Sequence, residues 1–421
     1  MKPKLIIMVN PLRLNERLCQ AFLTANIKIL ALYTWSTAQQ SYFQIDKKYF
    51  IFNELLTLDL EKDLKKIQEL IKNYDLIAVL PAVEVDLDYA EKIAYALRPE
   101  LANNPKDSYL RYKKYEMNEA LKQAGLNAIS QMRFPISETL HDIAPLTFPV
   151  VVKPSFQSGG SVGVKICQDM DETQAHLLAL RQTNDPFGKK IESEIIIQDK
   201  IEGVEYFSDS VTWKDQHYIT AIFKYMKTEI AGLPIYRYID FLNPENQLWP
   251  LCYDYIVETL DTLQVHHGFA HTEFIVTDQE QPFLIEINPR LSGIGGEINR
   301  LCKLVTGYDQ SDIYIQLINN EITIKTMAEK YKTQHLHGRM VLLFAWENMQ
   351  FKGFKQEIFE KLQSAQHVFR QFKPEGTLLA PPENLLDVVV SVNLIDDDME
   401  KIIADTNYLQ RLEKAGELFH G

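Results

Sequence analysis

The stretch Phe283 to Gly293, FLIEINPRLSG, sets Glu286, Asn288 and Arg290 at alternate positions after an apolar run. On an extended backbone alternate side chains share one face. An acid, an amide oxygen and a fixed cation on one face suit a metal ion bound to a phosphate, or a solvated strand end. Just upstream, HTEFIV places Glu273 on a strand that a short turn joins to the first, so Glu273 and Glu286 can lie close together. Two carboxylates that close repel each other unless a cation or a proton intervenes. Hard oxygen ligands suit Mg²⁺, which keeps waters and substrate phosphates as its other ligands. The plain alternative is two solvated strand acids.

Two further groups precede this hairpin. In VVVKPSFQSGGSVGV, Lys153 ends a strand and a Gly/Ser loop follows it. Gly159, Gly160 and Gly163 let backbone N–H groups approach an anion, and Ser158 and Ser161 add hydroxyls. The lysine precedes the glycines, so this is not a Walker A loop. An ordinary Gly-rich hairpin with an exposed lysine is the alternative. In IIIQDKIEGVEYFSD, a buried strand runs into Gln198, Asp199 and Ile201, turns at Gly203 and reaches Glu205. Such a segment offers backbone groups to a purine edge, and the acid can accept from ribose hydroxyls. A plain β-turn is the alternative.

The elements that must position these residues read as follows. KLIIMV, IKILALY and YDLIAVLPAV are strands, and NERLCQAFLTA, LEKDLKKIQELIKN and DLDYAEKIAYALR are helices between or after them. Alternating β and α predicts a parallel sheet covered on both faces. No GxGxxG follows the first strand, which argues against a standard dinucleotide site. DSYLRYKKYEMNEALKQAGLN predicts a helix ended by Gly125, and NAISQMRF a short strand. Further strands flank a hairpin at Lys214-Asp215, LCYDYIVETLDTLQV and EINRLCKLVTG are helices, and GRMVLLFAW and DVVVSVNLI are late strands.

The 421 residues, 46% hydrophobic, suffice for two to three domains. A formal charge of −13 disfavours a general nucleic-acid binder while leaving room for a local basic pocket. Four scattered cysteines form no zinc spacing and fit a reducing, cytoplasmic setting. The N-terminal apolar run is too short for a signal peptide, and no run approaches a membrane span.

Taken in order, a lysine, a glycine loop, a purine-edge segment and a two-acid hairpin resemble the ATP-grasp superfamily, which holds ATP between two α+β lobes. KKYEMNEALKQAGLN is similar to its helix with a first nucleotide lysine, here Lys114. PVVVKPSFQSGGSVGV is similar to its second lysine and phosphate loop, EGVEY to its ribose-contacting segment, and HTEF with EINPR to its magnesium hairpin. FAHTEFIV, EINPRLSG and PEGTLLAPPENLLDVVVSV look most like the L-amino-acid ligase (dipeptide synthetase) branch of carboxylate–amine ligases.

The resemblance implies an α/β and α+β chain. Residues 1–105 would be an N-terminal parallel α/β domain. Residues 106–320 would be the ATP-grasp core, with a helical and lid part over 106–200 and a metal-binding lobe over 201–320. Residues 321–421 would be a C-terminal α+β subdomain packed on it. It also implies ATP with Mg²⁺ or Mn²⁺. Nucleotide contacts would fall to Lys114, Lys153, Ser158, Gly159, Gly160, Ser161, Gln198, Asp199, Ile201 and Glu205. Glu273, Glu286 and Asn288 would be metal ligands, and Arg290 with Lys153 would be catalytic. His271 either orients phosphate or packs in its strand. The glycine loop would close as a lid. Small carboxylate and amine substrates, no nucleic acid, no membrane, and a homodimer as a candidate assembly complete the expectation.

The implied activity is amide formation through an acyl phosphate. Ligation of a non-amino-acid acid or amine in secondary metabolism is one alternative, and a nucleotide-binding regulator without catalysis is another. Two departures stand out. The purine segment has Gln198-Asp199-Lys200 where relatives commonly carry a Glu-Glu or Glu-Lys pair. PAVEVDLDYAEKIA lacks glycines that relatives often have near Glu84. No residue stands out as a general base.

Overall fold

The computed structural model describes residues 2–34, 45–135, 146–155, 163–182, 194–230, 233–293, 296–321, 335–383 and 385–420. The expected loop residues Ser158, Gly159, Gly160 and Ser161 lie outside them.

The N-terminal unit is the expected α/β layer. It runs β1 (Lys4–Val9), α1 (Glu16–Thr24), β2 (Lys28–Tyr33), β3 (Phe52–Leu55), α2 (Leu60–Ile71), β4 (Asp75–Pro81) and α3 (Leu87–Leu97). The sheet order is β3-β2-β1-β4, and every pairing is parallel. Helices cover both faces, so Leu5 through Val9 are all buried and the strand reads as one apolar run.

A fully buried Arg111 ties this unit to the rest. Its guanidinium donates to both oxygens of Glu91 on α3, at 2.9 and 2.6 Å, and to the carbonyls of Leu263 and Gln264, at 3.1 and 3.0 Å. Removing one partner of so buried a pair costs about 3–5 kcal/mol. The loops at the carboxyl end of β4 are thereby fixed against the larger unit.

The next lobe holds α4 (Lys114–Gln123), β5 (Gln131–Pro135), β6 (Val150–Pro154), β7 (Lys165–Cys167), α5 (Met170–Leu180) and β8 (Glu194–Asp199). Its antiparallel sheet has the order β5-β8-β6-β7. The long helix expected from Asp107 onward is split: residues Pro105–Arg111 form a 3-10 segment before α4.

The third layer is one eight-stranded antiparallel sheet, ordered β13-β12-β9-β10-β11-β14-β18-β16. β9 (Val204–Trp213), β10 (Gln216–Ile230), β11 (Leu233–Phe241), α6 (Trp249–Thr262), β12 (His267–Val276), β13 (Pro282–Asn288), α7 (Glu297–Thr306) and α8 (Gln310–Ile318) come first. β14 (His337–Leu343), β15 (Met349–Gln350), β16 (Gln366–Gln371), β17 (Leu378–Leu379), β18 (Val390–Asp396) and α9 (Met399–Lys414) follow. β14 pairs with β11, Tyr238 opposite Val341 and Asp240 opposite Arg339. The C-terminal strands therefore continue the central sheet, and the expected boundary after residue 320 falls within it. Lys214 and Asp215 both have positive φ, 52° and 63°, as a two-residue hairpin of the right twist requires.

Candidate functional site

The register of three neighbouring strands gathers the candidate residues. His271 lies opposite Asn288 and Glu273 opposite Glu286 between β12 and β13. Between β12 and β9, His271 lies opposite Asp209, Glu273 opposite Phe207 and Ile275 opposite Glu205. Residues directly opposite share a face, so Glu286, Asn288, Glu273, His271, Glu205, Phe207 and Asp209 point to one side of the sheet.

A bulge makes this possible. Phe274 pairs with Leu284 but Glu273 pairs with Glu286, so Ile285 is one residue extra on β13. Without it, Leu284, Glu286 and Asn288 would share a face. With it, Leu284 packs fully buried beside Phe274 and α6 while both polar residues turn to the site. Tyr255 on α6 takes up the displaced backbone: its hydroxyl accepts from the Leu284 N–H at 2.7 Å.

Arg290 does not continue the strand face, as the alternation had implied. β13 ends at Asn288, Pro289 offers no donor to the ladder, and the Arg290 N–H turns back to the Asn288 carbonyl at 2.8 Å. From that turn Arg290 reaches the N-terminal unit, its Nε donating to Glu84 Oε2 at 2.5 Å. Glu84 sits in the loop after β4, at the carboxyl end of a parallel sheet, where open α/β sheets bind ligands. Burial alone would raise its carboxyl, but Arg290 outweighs burial and holds it below the usual range.

Lys114 and Lys153 meet because the Lys114 N–H, at the start of α4, donates to the Ser155 carbonyl at 3.0 Å just past β6. Lys114 Nζ pairs with Glu286 Oε2 at 2.7 Å. Burial works against the Glu286 charge, but Lys114 and then Lys153 overcome it and bring the carboxyl down to about 2. Asn288 Nδ2 also donates to Glu286 Oε1, at 3.2 Å. Lys153 is 4% exposed and, among the described residues, has no hydrogen-bond or ion-pair partner. Burial, then Lys114, lowers its ammonium to about 8.

His271 is a packed strand residue that also carries charge. Burial opposes protonation, but its hydrogen bonds to Asp209 and Glu273, each at 3.0 Å, raise it to about 9.

The purine-edge segment changes in detail. β8 is an inner strand, with Gln131 opposite Gln198 on one side and Val151 on the other. The Gln198 amide nitrogen donates to Gln131 Oε1 at 2.9 Å, and the Asp199 N–H to the Ser130 carbonyl at 3.0 Å. The loop at Lys200 and Ile201 follows the strand. Gly203 closes this loop against β12: a Cβ there would lie 2.4 Å from the Val276 carbonyl oxygen.

Lys227 on β10 escaped the sequence reading. It pairs with Glu205 at 2.6 Å and lies 4.2 Å from the Tyr236 ring centre. Its only signal was a lysine inside the aromatic strand FKYMKTEI.

The donors Glu273, Glu286 and Asn288 are hard oxygens converging from two paired strands. Among the described residues no three His, Cys, Asp or Glu side chains form a metal cage. Two carboxylates and an amide fit Mg²⁺, which takes one or two protein carboxylates and completes its shell with phosphates and water. No helix among the described residues is long and apolar enough to cross a membrane.

Residues 146–298 match the ATP-grasp domain family. Dapdiamide A synthase of Enterobacter agglomerans is 28% identical over 227 residues, 53% of this chain, and the match spans about half, 52%, of that relative's length. L-amino acid ligase from Bacillus licheniformis superimposes over 100% of this chain and 99% of its own, with a TM-score of 0.77 at 16% identity. The biotin carboxylase domain of Hydrogenobacter thermophilus 2-oxoglutarate carboxylase, solved with MgADP, ADP and bicarbonate, covers 97% of this chain and 90% of its own, with a TM-score of 0.65 at 12% identity. The N-terminal parallel sheet, the lysine-bearing lobe and the eight-stranded sheet thus share the fold of the L-amino acid ligase structure, with the match to the ATP-grasp domain family falling on residues 146–298.

Proposed function

We propose that this chain is an ATP-dependent carboxylate–amine ligase. In this reading a carboxylate, by preference that of an L-amino acid, attacks the γ-phosphorus of ATP, and ADP leaves. An amine then attacks the acyl carbon of the resulting acyl phosphate. The C–O bond to phosphate breaks, and amide and phosphate are released. A free carboxylate is a poor acyl donor, and phosphorylation supplies the leaving group.

Lys153 carries the proposal. A buried ammonium with no acceptor among the described residues is costly unless an anion completes it, and it lies beside Lys114 and the two-acid hairpin. Lys114 and Lys153 would bind phosphate oxygens, the backbone at Ile201 the base, and Glu205 the ribose. Arg290 would grip the donor carboxylate with its planar fork. Glu273, Glu286 and Asn288 would hold Mg²⁺ or Mn²⁺, whose charge supplies neutralisation at the phosphates. The relatives support this: one is named an L-amino acid ligase, one a dapdiamide synthase, and one was solved with MgADP.

The test is nucleotide release by the purified protein with Mg²⁺ and pairs of amino acids or other acids and amines, with mass spectrometry of products. ADP, phosphate and an amide are expected. AMP and pyrophosphate would mean an adenylate and would sink the acyl-phosphate route.

A further inference from the structure

Asp209 on β9 is 1% exposed, and its two oxygens serve two different parts of the site. Oδ1 accepts from His271 Nδ1 at 3.0 Å, and Oδ2 accepts from Ser292 Oγ at 2.8 Å. The other ring nitrogen of His271 donates to Glu273 Oε1 at 3.0 Å. The Phe207 ring, 4.9 Å away between centres, backs the imidazole. Ser292 is two residues beyond Arg290, and Asn299 on α7 donates to its hydroxyl at 3.1 Å. A single buried carboxylate thus stands between one of the two hairpin acids and the segment that carries the guanidinium.

We infer that Asp209 is a positioning residue: through His271 it fixes the Glu273 carboxylate, through Ser292 it holds the Arg290 segment, and so it sets the cation site and the carboxylate clamp together. The inference rests on the ligase reading for the roles of Glu273 and Arg290. Its physical basis is the chain of bonds. The imidazole can hold Glu273 in one orientation only while its other nitrogen is anchored. The anchor is a carboxylate whose remaining oxygen is committed to Ser292. Outer partners of this kind commonly govern metal affinity without touching the metal.

Mn²⁺ is the probe, followed by electron paramagnetic resonance in the presence of a non-hydrolysable ATP analogue. Asp209→Asn keeps the shape and removes the charge. Mn²⁺ binding should weaken about 10- to 100-fold, while analogue affinity measured without metal stays unchanged. Ser292→Ala removes one donor to the same carboxylate from the far side, and should weaken Mn²⁺ binding about 2- to 10-fold. A local role for Ser292 would leave the metal untouched. If Asp209→Asn does not fold, Ser292→Ala still decides. Unchanged Mn²⁺ affinity in either folded variant overturns the inference alone. Unchanged affinity in Glu273→Gln overturns the metal assignment and this inference with it, and ADP release by the wild-type protein then judges the ligase reading separately.

Discussion

Replacing Arg290 by lysine separates two readings of the same side chain. In the structure its Nε meets Glu84 at 2.5 Å and its Nη1 donates to the Leu291 carbonyl at 2.9 Å. As a clamp, the guanidinium would offer a planar pair of donors to a substrate carboxylate. Lysine keeps the charge and loses the pair, so one charge-assisted hydrogen bond disappears. That is about 1.5–3 kcal/mol, or roughly a 10- to 150-fold loss in ligation rate. Nucleotide affinity should hardly move, because Lys114, Lys153 and the hairpin acids remain. As a latch, Arg290 would only tie the β4 loop to the end of β13. Glu84→Gln would then reproduce the whole effect, the two variants would lose melting temperature alike, and the double variant would lose no more than either. Ligation rate, nucleotide affinity and melting temperature, measured on Arg290→Lys, Glu84→Gln and the pair, distinguish the readings. A normal ligation rate in Arg290→Lys, or an equal rate loss in Glu84→Gln, refutes the clamp.

Lys153→Met should abolish turnover and yet stabilise the fold by about 1–3 kcal/mol at neutral pH, seen in urea unfolding. With the native ammonium lowered to about 8, its cost is fully present below that pH and fades as pH rises toward the ordinary lysine range. A destabilised Lys153→Met would show that the lysine has a partner. Nucleotide affinity of the wild type should decline above about pH 8, by at most about tenfold per unit for one linked proton, because binding must then take up that proton; a flat profile would contradict it. Glu286→Ala should lose both activity and stability, since it leaves Lys114 buried and unpaired, whereas retained activity would remove Glu286 from the site. Gly203→Ala should cost about 1–3 kcal/mol, because the added carbon meets backbone; an unchanged urea midpoint would mean that the loop moves aside.

The strands and helices that bury one face were legible from their periodicity. So were the Lys214-Asp215 turn and the helix ended by Gly125, whose φ of 80° only glycine adopts freely. β3 shows no signal in the sequence because three half-buried residues and one exposed residue carry no pattern. The bulge at Ile285 was invisible for a different reason. Strict alternation puts Leu284 with Glu286, and only the partner strand reveals that one residue steps out of the ladder. Pairings of distant charges, Arg290 with Glu84 and Lys227 with Glu205, depend on topology that local sequence does not encode. The neighbours of Gln198 are likewise set by topology, because a sequence does not say that its strand lies between two others.

The charge pairing of the cleft has a kinetic consequence. Lys114, Lys227 and Arg290 each pair with one carboxylate, Glu286, Glu205 and Glu84, and His271 bridges Asp209 and Glu273; with Lys153 beside them, the five cations match the five carboxylates in number. Such a cleft projects almost no field, and it belongs to a chain with a formal charge of −13. An approaching nucleotide is therefore not drawn in from a distance, and its encounter rate should not fall as ionic strength rises. Recognition begins only on contact, when phosphates and substrate carboxylate take over cations that neighbouring acids release. Selectivity among ligands is then written in how long each one stays, and not in how fast it arrives.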